Sequence, residues 1–259
     1  MDRVILVTAG SRGIGAAICR KAGSEGYRVA VNYNLSPAEA DKVVADIRAG
    51  GGTAVAIKAD VTKEKEVVDM FATIDRELGP VTALVNNAGG GKISLGPDGC
   101  RTEDASLAQI EAVTALNLYS TSMCTREAIK RMSTKHGGKG GAIVNISSDC
   151  ARRGGPTSRK NGVGGLVLYA AAKAAVDGFS LNVAVEVAPE GIRVNVIRPA
   201  TIMTPAHDVD GADHYANMAK MIPLNRPGRP DEIADFALFL LSDKAAFATA
   251  AFVDVTGGR

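Results

Sequence analysis

The sequence has no uninterrupted apolar stretch approaching the roughly 20 residues that span a bilayer, which excludes a helical membrane protein. The apolar run Val4-Ile5-Leu6-Val7, directly after Met1-Asp2-Arg3, is too short for the apolar core of a secretory signal, so a cytoplasmic protein is expected. Neither sign of charge is in excess: 30 basic against 28 acidic residues leave a net +2, which implies neither a nucleic-acid nor a membrane partner. Cys19, Cys100, Cys124 and Cys150 are scattered without a C-x-x-C pair, and His136, His207 and His214 form no ligand spacing. Reduced structural thiols and no metal are expected. No Pro-, Ser- or Gly-rich run separates two composition regimes and no repeat of fixed period is present, so residues 1–259 are read as one domain.

What the chain does have is an apolar fraction of 46%, enough for a sizeable core. Short apolar, β-branched runs recur at 4–7, 28–32, 54–57, 83–85, 142–146, 193–197 and 251–255, with helix-compatible stretches between most of them. These begin near Gly13, Ser36, Thr62, Ser106, Leu168 and Pro230, with Ser36-Pro37 and Thr62 as expected N-caps. The alternation predicts an α/β fold with a parallel sheet, and near-continuous apolar strands predict helices on both faces.

Directly after the first run comes Thr8-Ala9-Gly10-Ser11-Arg12-Gly13-Ile14-Gly15. Glycines in a strand-to-helix turn let the backbone approach a pyrophosphate, and the helix N-terminus offers unpaired N–H groups. A tight turn also needs glycine on structural grounds alone, so this turn by itself does not separate binding from packing. Further on, Tyr169-Ala170-Ala171-Ala172-Lys173 places a phenol and an ammonium one helical turn apart on one face. A buried tyrosine beside a snorkelling lysine would give the same spacing. The run 143–148 reads as a buried strand ending in Ser147-Ser148, at the strand end where open α/β sheets bind ligands.

Taken together, these motifs, with Asn86-Asn87-Ala88-Gly89, Asn117 and Pro199-Ala200-Thr201-Ile202-Met203-Thr204, stand in the order found in the short-chain dehydrogenase/reductase family, which the chain resembles from Val4 to Val255-Thr256-Gly257-Gly258. The resemblance implies a Rossmann-type, doubly wound, seven-stranded parallel sheet with the substrate pocket on loops at the carboxyl ends of the strands. It implies hydride transfer between a nicotinamide dinucleotide and a small-molecule carbonyl or alcohol. Ser148, Tyr169, Lys173 and Asn117 match the family's catalytic positions. Cofactor contacts are implied for the turn residues Gly10, Ser11, Arg12, Gly13, Ile14 and Gly15, and for Asp60 and Val61 after the third strand. They are also implied for Asn87, Ala88 and Gly89, for Tyr169 and Lys173, and for Pro199, Ile202 and Thr204, and Asn32, Tyr33 and Asn34 at the end of the second strand are expected beside the cofactor as well. Family members are tetramers or dimers, so a homotetramer or homodimer is expected. Two departures stand out: Ala9 and Ala200 occupy positions where the family has glycine. At the first, Gly10 is expected to supply the missing flexibility one residue later.

The end of the second strand reads Asn32-Tyr33-Asn34, with no carboxylate to bind ribose hydroxyls or repel a 2′-phosphate. Arg12 is placed to meet such a phosphate, so NADP(H) is expected over NAD(H). A solvated Arg12 is the competing reading. The spacing from Ser148 to Tyr169 exceeds the family's, and the extra segment 151–165 carries Arg152, Arg153, Arg159 and Lys160. It reads either as a solvated loop or as a recognition element for an anionic substrate. The stretch 204–221 reads either as a closing lid or as a fixed helix. A non-catalytic NADP-binding sensor is the alternative function, and the retained Ser148, Tyr169, Lys173 and Asn117 argue against it.

Overall fold

The computed structural model describes residues 3–90, 100–154, 165–205 and 214–259. Seven parallel strands, β1 (Val4–Val7), β2 (Arg28–Tyr33), β3 (Thr53–Lys58), β4 (Ala83–Asn86), β5 (Gly141–Ile146), β6 (Ile192–Pro199) and β7 (Phe252–Val255), form one sheet of order β3-β2-β1-β4-β5-β6-β7. The order reverses between β1 and β4, the place where such sheets open a crevice for ligands. The expected runs recur as strands whose ends agree to within two residues.

Strand alternation divides the core. Ile5, Val7, Val29 and Val31 face α1 (Gly13–Ser24), α2 (Pro37–Ala49) and the last long helix, Pro230–Leu241. Val4, Leu6, Ala30 and Leu84 face α3 (Glu64–Glu77) and two further helices, Ser120–Met132 and Val167–Val187. Because both faces are covered, odd and even strand positions are equally apolar, which is why the strands read as continuous runs rather than alternating ones. Phe71, fully buried in the second layer, contributes on the order of 2–3 kcal/mol by its burial.

Between β4 and β5 the chain forms α4 (Leu107–Thr114), a π-helical segment Ala115–Tyr119, and α5 (Ser120–Met132). Ser106 caps α4, its side chain accepting from the Gln109 N–H. The other expected caps differ. Ser36 stands at the cap position of α2 without a side-chain hydrogen bond, Pro37 being pre-set for the first turn. Thr62 is no cap: α3 starts at Glu64, and the Thr62 N–H and hydroxyl both donate to Asp60 Oδ1, at 3.0 and 2.7 Å. The remaining helices are α6 (Cys150–Arg153), α7 (Val167–Val187), α8 (His214–Ala219) and α9 (Pro230–Leu241). Among the described residues no helix is long and apolar enough to cross a membrane.

Candidate active site

The glycine-rich turn leaves β1 and enters α1 at the switch point. Its left-handed residues are Ala9 (φ 49°) and Gly13 (φ 52°). Gly10 does not take over the left-handed conformation from Ala9, as the sequence suggested; Ala9 adopts it itself. Gly10 is required for space, because a Cβ there would stand 2.9 Å from Cys19 Sγ and 3.0 Å from the Val7 carbonyl oxygen. A Cβ on Gly15 would fall 2.3 Å from the Ala9 oxygen, and one on Gly13 would meet Thr204 Cγ2 at 3.1 Å. Gly13 and Gly15 therefore form a surface flush with the backbone, closed by the segment that follows β6. Arg12, at the cap position, makes no side-chain cap, and the first turn of α1 carries no acidic residue. Its N–H groups are thus available to an anion, and the donor set fits a dinucleotide pyrophosphate.

Two asparagines and a threonine tether this turn. Asn32 accepts from the Ala9 N–H at 3.0 Å and donates to the Ala59 oxygen at 3.1 Å. Its buried carboxamide is a tie between strands and turn. Asn87 Nδ2 donates to the oxygens of Thr8 (3.0 Å) and Ala9 (3.2 Å). The Thr8 hydroxyl accepts from the backbone N–H groups of Asn87 and Ala88, both at 2.9 Å. Of the other expected cofactor residues, Ser11 and Ile14 are partly buried in the turn, Tyr33 packs half-buried against the core, and Asn34 and Arg12 are exposed. Val61 is buried, and Asp60 Oδ1 is occupied by Thr62.

The four expected catalytic residues lie at the carboxyl end of β5 and its neighbours. Ser148 follows β5, and its hydroxyl is a near neighbour of the half-buried Tyr169 phenol on α7. One turn later Lys173 is buried, with Nζ 5.8 Å from the Tyr169 ring centroid and donating to the Ile146 oxygen at 2.8 Å. Asn117, in the π-helical segment, accepts from the Gly90 N–H (3.1 Å) and donates to the oxygens of Gly90 (3.1 Å) and Val113 (2.9 Å). Gly89 joins them: a Cβ there would lie 2.7 Å from both Asn117 Oδ1 and Lys173 Nζ. Burial pushes the phenol above its usual value; Cys150 and Asp149 add to this while the Ser148 hydroxyl opposes it. Burial lowers the Lys173 ammonium to about 8, against the pull of Asp177.

A polar network fixes the strand ends below the site. Asn86 Nδ2 donates to Asn145 Oδ1 (2.8 Å) and to the Thr125 hydroxyl (3.0 Å), while Asn145 Nδ2 donates to the Ser180 hydroxyl (2.7 Å), so β4, β5, α5 and α7 are cross-linked. Beyond β6, Pro199 accepts from the Asp149 N–H (3.0 Å), and buried Ile202 bridges to Gly228. Ala200 has no positive φ, so its departure from glycine strains nothing. The Tyr215 hydroxyl accepts from the Thr204 N–H and donates to the Thr204 oxygen, both at 3.0 Å, tying α8 to that segment. Residues 206–213 of the expected lid, and Arg159 and Lys160 of the insertion, lie outside the described residues. Arg152 is ion-paired with Asp254 at 2.9 Å. Sequence reading missed Thr8, Asp149 and Tyr215 as parts of this site. Thr8 alone carried a signal, its place between β1 and the glycine turn.

A family model described as enoyl-(acyl carrier protein) reductase matches residues 8–259. The chain is 42% identical over 257 residues to the uncharacterized oxidoreductase YgfF of Escherichia coli K12, covering 99% of each chain. It is 35% identical over 263 residues to the 3-oxoacyl-[acyl-carrier-protein] reductase FabG of Staphylococcus epidermidis, covering 100% of this chain and 99% of that one. Among solved structures, the short-chain dehydrogenase/reductase from Serratia marcescens superposes with a TM-score of 0.85 at 30% identity, covering 99% of this chain and 97% of that one. The fold agrees with these likenesses, and the chain belongs to the short-chain dehydrogenase/reductase family of NAD(P)-dependent oxidoreductases.

Proposed function

We propose that the protein interconverts a small-molecule carbonyl and the corresponding secondary alcohol with NADP(H), in a pocket framed by the loops at the carboxyl ends of β4, β5 and β6. The observation that carries this reading is the meeting of Lys173 and Asn117 at Gly89, with Lys173 Nζ 5.8 Å from the Tyr169 ring centroid and Ser148 beside Tyr169. A bound nicotinamide supplies or accepts the hydride, and its oxidised form brings a positive charge that favours the phenolate. The substrate oxygen is held by the Ser148 and Tyr169 hydroxyls, and in reduction Tyr169 passes its proton to that oxygen. Lys173 holds a positive charge beneath the phenol. Asn117 keeps Gly89 and Gly90 against Lys173 and borders the path by which the proton is replaced.

The preference for the 2′-phosphorylated cofactor rests on the exposed Arg12 at the start of α1, with no carboxylate at Asn32, Tyr33 or Asn34. Association through α4, α5 and α7 into a dimer or tetramer is supported by the exposed apolar side chains of Tyr119, Leu181 and Val185. The test is in two steps. Fluorescence titration with NADPH and NADH should give the tighter dissociation constant for NADPH. A panel of 3-oxo esters, sugars and cyclic ketones should then be reduced by the parent protein and not by Tyr169→Phe, which should still bind cofactor. Turnover by Tyr169→Phe refutes the assignment.

A further inference from the structure

Asp149, which directly follows Ser148, is 9% exposed and held by its backbone on two sides. Its N–H donates to the Pro199 oxygen, and its own oxygen accepts from Arg152 and Arg153 N–H at 3.1 and 3.0 Å. The side chain is thereby aimed back at the site. Oδ1 accepts a long hydrogen bond from Ser148 Oγ at 3.4 Å, and Oδ2 lies 3.7 Å from Arg259 Nε. The Ser148 oxygen also accepts from the Cys150 N–H at 3.2 Å. A hydroxyl has one proton, and a carboxylate only accepts, so until a substrate oxygen competes for it the Ser148 proton is drawn toward Asp149 and away from the Tyr169 phenol. The charged and titratable groups facing Asp149 are Arg259 beyond β7, Cys150 on α6 and Tyr169 on α7. Arg152 is engaged by Asp254, and Arg153 is exposed.

We propose that Asp149 and Arg259 are positioning residues for the Ser148–Tyr169 pair: the carboxylate keeps the phenol protonated and ready to donate, and the guanidinium limits how strongly it does so. The inference rests on Tyr169 as the proton donor. A negative charge beside a phenol disfavours phenolate, and withdrawal of the Ser148 proton removes the hydrogen bond that would stabilise it; both effects have the same sign. Arg259 opposes both by neutralising the carboxylate. A purely structural ion pair would alter stability without moving the protonation of Tyr169.

The experiment uses the whole chain with tyrosine carbon-13 labelled at Cζ, saturated with whichever oxidised dinucleotide, NADP+ or NAD+, binds more tightly. The Tyr169 resonance is assigned by its loss in Tyr169→Phe and followed against pH. Arg259→Ala should raise the midpoint by about one pH unit and Asp149→Asn, which keeps the side chain's shape, should lower it by a similar amount. Arg259→Lys should behave as the parent, and Arg259→Ala should have no further effect once Asp149 is Asn. Equal midpoints in all proteins, shifts of one sign, or no Tyr169 titration in any of them while the fold is intact would overturn the proposal. If Tyr169→Phe still reduces carbonyls, the underlying reading fails instead, and the two failures are read in separate assays.

Discussion

Lys173 donates from Nζ to the Ile146 carbonyl oxygen at 2.8 Å, so an ammonium on α7 is anchored at the carboxyl end of β5 inside the core. Burial lowers this group from 10.5 to about 8. Below pH 8 both folded and unfolded chains carry the proton, and the folded chain bears the full desolvation penalty. Between about 8 and 10.5 the unfolded chain binds more protons, so stability from this group rises with pH. Lys173→Met, similar in volume and uncharged, should abolish turnover and raise unfolding free energy at neutral pH by about 1–3 kcal/mol. Urea unfolding without cofactor measures this. The advantage should shrink as the pH climbs past 8, and a pH-independent difference would contradict the account.

The contrast between Lys173 and Asn32 shows what the residues alone disclose. Seven apolar runs, Gly13 at the start of α1 and the Tyr169–Lys173 spacing follow from local periodicity, which survives into the fold because both sheet faces are covered. Asn32 is expected beside the cofactor from its place at a strand end, and nothing local foretells that its carboxamide is engaged by Ala9 and Ala59. Such partners lie 23 and 27 residues away, beyond any local pattern. The same holds for Asp149 with Arg259, for Tyr215 with Thr204, and for the π-helical turn that aims Asn117 at Gly90. Side-chain chemistry set by tertiary contact has no period to read.

Gly89 is where the site is tightest. An added methyl would stand 2.7 Å from both Asn117 Oδ1 and Lys173 Nζ, less than either atom tolerates. Gly89→Ala should therefore displace the lysine from beneath the phenol and lower kcat by about 100-fold, with the fold retained by circular dichroism. Activity within a few fold of the parent would mean that Lys173 moves aside at no functional cost.

Ala9 holds a left-handed backbone, φ 49°, with an exposed side chain. The conformation disfavours a Cβ, while glycine would gain freedom in the unfolded chain, so the two effects partly offset. Ala9→Gly should stabilise the protein by about 0.5–1 kcal/mol in urea unfolding. Its hydrogen bonds to Asn32 and Asn87 are made by backbone atoms and should persist, leaving cofactor affinity unchanged.

Arg12 and Asn32 make opposite predictions for cofactor binding, although both belong to the glycine turn, Arg12 by sequence and Asn32 by its bond to Ala9. Arg12 is exposed, and among the described residues its guanidinium carries no hydrogen bond or ion pair, as the proposed reading of a 2′-phosphate requires. Arg12→Ala should weaken NADPH by about 1.5–3 kcal/mol, the range for a hydrogen bond to a charged group, and leave NADH within a factor of about two. Asn32 holds the turn that the pyrophosphate of either cofactor would use. Asn32→Ala leaves the Ala9 N–H and the Ala59 oxygen without these partners and should weaken NADPH and NADH by the same factor while lowering stability by about 1–3 kcal/mol. Paired fluorescence titrations of both variants with both cofactors separate the roles. A selective NADPH loss in Asn32→Ala, or a uniform loss in Arg12→Ala, would exchange the assignments, because only a residue that touches the 2′-phosphate can tell the two dinucleotides apart.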